Sequence, residues 1–116
     1  MNSLWEMPLL VSEGSSGSMP DGMDEAVAMV FAGASGHETA LTKAVEAVRN
    51  MGLQFRDVVG GQVFQVPLDQ WSDYTQDRYD FFVANLPSQT ELPKLVASGE
   101  VFLGPFLGYQ KDRNPH

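Results

Sequence analysis

The chain contains no cysteine. Disulfides and thiolate metal sites are thereby excluded, and with them the small secreted scaffolds that rely on bridges in place of a core. Basic residues are scarce: seven Lys and Arg stand against fifteen Asp and Glu, the formal net charge is −8, and no basic residue precedes Lys43. Charge of that sign repels phosphate backbones and anionic lipid, so a cationic protein is expected as partner, and nucleic acid and membranes are not. Histidine occurs only at positions 37 and 116. One histidine among scattered acids does not make a zinc site, and neither an H-E-x-x-H helix nor an EF-hand loop is present, so no metal or cofactor is expected. No apolar run approaches the ~20 residues that cross a bilayer. The opening residues, MNSLWEMPLLVSEGSSGSMPDG, lack the positive and long apolar segments of a secretory signal, and the compartment expected is the cytoplasm.

What is present suits one globular domain: 116 residues, 43% hydrophobic and 10% aromatic. Residues 11–22, VSEGSSGSMPDG, are too rich in Ser and Gly to bury enough surface to offset their ordering entropy. Residues 1–22 therefore read as a flexible arm with an apolar tip from Leu4 to Val11. Residues 23–110 read as the domain, and residues 111–116 as a polar tail.

Within the domain, the apolar run Ala26–Ala34 predicts a buried central strand. Ser35 and Glu38 have capping-box spacing, and Leu41, Ala44, Val45 and Val48 recur on one face of a helix that Gly52 stops. The runs Leu53–Val59 and Gln62–Pro67 flank Gly60-Gly61, which predicts a tight hairpin. Ser88 and Glu91 repeat the capping-box spacing before Leu92, Leu95 and Val96, Pro93 fits only in a first turn, and Gly99 marks the stop. Val101–Tyr109 reads as a last strand with an edge or bulge at Gly104-Pro105, and that edge offers a surface along which two copies could pair. The order predicts an α+β fold: a mainly antiparallel sheet with two or three helices on one face, the ferredoxin-like sandwich being the nearest topology.

The stretch DQWSDYTQDRYDFF, residues 69–82, holds four aspartates, one arginine and five aromatics. On a helix, Asp69, Asp73, Asp77 and Asp80 fall within a sector of about 80°, with Trp71, Tyr74, Arg78 and Phe82 opposite. The segregation favours an amphipathic helix from near Pro67; Tyr79–Leu86 also suits a strand. No basic residue lies between Arg56 and Arg78. Trp and Tyr are frequent interface anchors, and acids around them steer a cationic partner. Asp69, Trp71, Asp73, Tyr74, Asp77, Tyr79 and Asp80 are therefore the expected partner surface, against the alternative of a core-packed helix with a solvated back. A second candidate is the turn Ser35-Gly36-His37, where free amides at a helix start could hold a small anion. It matches neither a dinucleotide-binding nor a nucleophile-elbow motif.

No catalytic signature is present. The expectation is a non-enzymatic acidic binding protein that neutralises or escorts a cationic protein, most concretely a bacterial toxin-immunity protein or secretion chaperone. The alternatives are a ferredoxin-like regulatory domain binding a small anion at the Ser35–His37 turn, and a small enzyme with a site assembled from scattered residues such as His37, Asp57 and Tyr79.

Overall fold

The computed structural model describes residues 2–12 and 25–109. Five strands and three helices follow in the order β1 (Ser3–Ser12), β2 (Glu25–Ala34), α1 (His37–Asn50), β3 (Gln54–Val58), β4 (Phe64–Val66), α2 (Trp71–Tyr79), α3 (Leu92–Ala97) and β5 (Val101–Tyr109). All strand pairings are antiparallel, and the sheet order is β3-β1-β2-β5, with β4 also on β1. This is the expected α+β class. β2 and β3 run parallel with β1 between them, a split β-α-β unit compatible with a ferredoxin-like plan.

The largest correction concerns the start of the chain. Residues 3–12, expected within a flexible arm, form a central strand that pairs with β2 along its whole length, from Ser3↔Ala34 to Ser12↔Glu25. Leu4, Met7, Leu9 and Val11 are fully buried. Trp5, Met7, Leu9 and Val11 alternate at period two and pack on one face of the sheet, while Leu4 packs on the other. The domain therefore begins at β1 and not at residue 23. The rest of the expected arm and the expected tail, from residue 111, lie outside the described residues.

The layers also differ from expectation. β2 is buried on both faces, as its unbroken apolar run predicts. Its even positions, Ala26, Ala28, Val30, Ala32 and Ala34, meet Ala40, Ala44 and Val48 of α1. Its odd positions, Met29 and Phe31, meet Trp71 and Tyr79 of α2 and Leu92 and Val96 of α3. The helices thus cover both faces instead of one. Small side chains let α1 approach closely on its side. On the other, a Cβ on Gly33 would lie 2.6 Å from the Val96 carbonyl oxygen, so α3 rests directly against the β2 backbone.

Gly60 and Gly61 have the positive φ expected of them, +74° and +64°, but they do not turn a hairpin. β3 pairs with Leu9–Ser12 and β4 with Leu4–Glu6, both antiparallel to β1, so the chain continues in one direction along a single edge. The glycines belong to a 3-10 turn, Val59–Gly61, between the two pieces, where Met7 and Pro8 have no partner on this edge. A proline in a central strand is tolerated where a neighbouring ladder is interrupted, and the interruption lies there. On the far edge, the β5 register shifts between its Phe106↔Ala28 and Leu103↔Val30 pairs, the bulge expected at Gly104-Pro105.

Both helix stops hold: Gly52 and Gly99 have φ of +85° and +71°. The α3 entry also holds, with Glu91 N–H donating to Ser88 Oγ at 3.1 Å and Ser88 N–H donating to Glu91 Oε1 at 3.1 Å. Ser35 does not cap α1. The residue at that position is Gly36, in extended conformation, and no side chain caps the helix. Tyr79–Leu86 is not a strand; the chain leaves α2 through turns and a short 3-10 segment at Val83–Asn85. Among the described residues, no helix is long and apolar enough to cross a membrane.

Candidate functional site

The helix α2 is placed by three inward residues at four-residue spacing: Trp71, Thr75 and Tyr79. Trp71 is 1% exposed. Its ring stands edge-on to Phe31 and Phe102, at centroid distances of 5.3 and 5.9 Å, and its Nε1–H donates to the Pro87 carbonyl at 2.8 Å. Tyr79 is 4% exposed and stands edge-on to Phe31 at 6.3 Å. Burying an aromatic of this size contributes about 1.5–3 kcal/mol. Gln89 fixes the start of the helix from a distance, its Oε1 accepting from Ser72 N–H at 2.8 Å.

These positions revise the expected partner surface. Trp71 belongs to the core and cannot anchor a partner, and Tyr79 is buried with it, one face of its ring covered by Arg78. Asp69, Asp73, Asp77 and Asp80 are all exposed, as expected of the acidic sector. Tyr74 is half-buried and, with Gln70, Asp73 and Asp77, lines an open depression of about 550 Å³. Phe81, which the sequence reading did not single out, is 67% exposed just past the helix end, and its ring lies 6.4 Å from that of Phe82.

A second feature missed from the sequence lies beneath this helix. Glu6 projects from the middle of β1 and is fully buried. The Tyr74 hydroxyl donates to its Oε1 and the Tyr79 hydroxyl to its Oε2. A buried carboxylate is tolerable only with such donors, because the cost of desolvating an unpaired charge is far larger than the gain from packing it. Both phenols are pushed well above the usual tyrosine range, chiefly by burial and then by the hydrogen bond to Glu6 and its charge. Above them lies Arg78, itself exposed. Its Nη1 donates to the Tyr74 hydroxyl at 3.0 Å, and its guanidinium carbon sits 5.1 and 5.5 Å from the ring centroids of Tyr74 and Tyr79. The signal for Glu6 was a single charge inside an apolar alternation, LWEMPLLV, which a purely apolar strand would not carry.

Ser35, Gly36 and His37 lie at the start of α1, the helix on the opposite face of the sheet. Ser35 and His37 are exposed, and the His37 ring is 6.2 Å from that of Trp5. Lys43 is drawn elsewhere: its ammonium donates to the carbonyls of Gly33 and Gly99 at 2.9 and 3.0 Å, tying β2 to the end of α3. His37 and Tyr79 are thus held on opposite faces, and the Asp57 carboxylate accepts from the adjacent Val58 N–H. The scattered residues weighed for a catalytic site are not brought together. Among the described residues, no group of three or more His, Asp or Glu side chains is placed to hold a metal ion.

The chain matches no protein-family model, and searches of curated proteins and of solved structures find no similar protein.

Proposed function

We propose that the protein is a non-enzymatic acidic binding module that takes up a cationic protein on the outer face of α2. Its most concrete form is an immunity protein or secretion chaperone for a toxin-like partner in the bacterial cytoplasm. The observation that carries this reading is the division of α2: its aromatic side is spent on the core, and Asp69, Asp73, Asp77 and Asp80 are left facing solvent. The one basic residue of the stretch, Arg78, is laid over the tyrosine rings. Phe81 lies in the turn just past the helix end, next in sequence to Asp80, and supplies an exposed apolar side chain. Charges of one sign around an exposed aromatic suit electrostatic steering followed by apolar anchoring. The anchor is Phe81 in place of Trp71.

The test starts from a cationic protein sought among the products of the neighbouring reading frames. Stopped-flow mixing should show association that slows in salt. Asp73→Asn combined with Asp77→Asn should slow it further and flatten the salt dependence, while Phe81→Ala should speed dissociation by about tenfold or more. If that protein binds and neither variant alters either rate, α2 is not the partner surface.

A further inference from the structure

Glu6 and Thr75 are the only polar side chains buried among the described residues, and Thr75 is accounted for by its bond to the Trp71 carbonyl within α2. Glu6 is different. Its two oxygens draw in two phenols from another element, and a guanidinium lies over both rings. An anion at the base, two aromatic faces above it and a cation within ~6 Å of each ring are the parts of a cation-binding site. Here the cation belongs to the same chain. Arg78 is exposed, reaches the site from outside, and is held to Tyr74 by a hydrogen bond at 3.0 Å. The planar guanidinium is the cationic group best matched to stacking on such rings. The depression lined by Gln70, Asp73, Tyr74 and Asp77 adjoins the site through Tyr74, which both share.

We propose that Glu6, Tyr74 and Tyr79 form a guanidinium-binding site that Arg78 occupies in the free protein and that an arginine side chain of the partner takes over on binding. This rests on the reading of α2 as the partner surface and assigns the kind of side chain it selects. Arg78 acts as a resident competitor. It keeps the two rings over the buried carboxylate covered in the absence of partner, and any incoming cation must displace it. Loss of Arg78 should therefore strengthen binding of an arginine side chain, although Arg78 is part of the same face.

The experiment titrates N-acetyl-arginine amide into the intact protein while following the ring resonances of Tyr74 and Tyr79 by NMR. N-acetyl-citrulline amide serves as the neutral isostere. In Arg78→Ala the two rings should shift saturably with the arginine derivative and not with the citrulline one, at a midpoint about fivefold lower than in the parent protein. Arg56→Ala, which changes the net charge equally at an exposed position of β3, should behave like the parent. Arg78→Gln gives the same comparison if the alanine variant folds poorly. Equal tightening in Arg56→Ala would show a general charge effect, and unsaturable shifts in Arg78→Ala would show no site; either result overturns the proposal. Partner association that still depends on Asp73 and Asp77 would then leave the binding face intact while removing this site from it.

Discussion

Replacing Tyr79 by Phe removes one oxygen from the interior and leaves the ring against Phe31. The cost follows from what that oxygen does. It donates to a carboxylate that is fully buried, so water cannot replace the lost bond. A hydrogen bond to a charged group contributes about 1.5–3 kcal/mol. Tyr74 donates to the same carboxylate but is only half-buried, so water can stand in for it, and Tyr74→Phe should cost about 0.5–1.5 kcal/mol. For a domain of this size, Tyr79→Phe should lower Tm by roughly 5–15 °C, to be measured by calorimetry and by urea unfolding with an unchanged m-value. Glu6→Leu alone should be costly as well, because it strands two phenols without their acceptor. The combination of Glu6→Leu, Tyr74→Phe and Tyr79→Phe should recover much of that loss, since a buried ionic cluster replaced as a unit by apolar groups is often close to neutral. The reasoning is refuted if Tyr79→Phe costs no more than Tyr74→Phe, or if the triple variant is less stable than Glu6→Leu.

Other measurements bear on the rest of the fold. Because the folded chain holds the Tyr74 and Tyr79 phenols above their ordinary value near 10, the unfolded chain releases those protons first, and stability should be intact below about pH 10 and fall as pH rises beyond it; phenolate absorbance should show Tyr74 and Tyr79 holding back until the protein unfolds. Deleting residues 1–12 removes Leu4, Met7, Leu9 and Val11 from the core, together worth about 6–12 kcal/mol, which is of the order of a whole domain's stability, so no cooperative melt should remain. Ser88→Ala should cost about 0.5–2 kcal/mol, whereas Ser35→Ala should be near neutral because no side chain caps α1; equal effects in urea melts would contradict the assigned caps.

Features that depend on neighbours in sequence were legible. The unbroken run of β2 announced a strand buried on both faces, the Ser88–Glu91 pair announced the entry to α3, and Gly104-Pro105 announced a bulge. What failed depended on distant partners. Gly60 and Gly61 do take positive φ, yet the direction of the chain past them is set by β1, half a chain away. The strand pattern of Trp5, Met7, Leu9 and Val11 is present, but the Ser/Gly-rich residues that follow it give the whole segment the composition of an arm. On α2 the helical wheel separated aspartates from aromatics correctly without revealing which side has a neighbour. That was decided by Phe31 and Phe102, which supply the wall against which Trp71 packs. Phe81 escaped notice because nothing local distinguishes an exposed phenylalanine from its buried neighbours.

During synthesis, β1 leaves the ribosome well before the donors to its glutamate, which lie on α2. Once β2 has emerged, the two strands can pair, and the young sheet then exposes apolar side chains on both faces with no helix yet available to cover either. Without α2, the polar carboxyl group of Glu6 would stand in the middle of one bare face. A group so placed opposes the stacking of one nascent sheet on another, the use to which inward-pointing charges are put on unprotected strands. When Tyr74 and Tyr79 arrive, the same carboxylate becomes the point to which α2 is fastened. The residue that would disfavour stacking of the bare sheet is thus the one that fastens α2 to it.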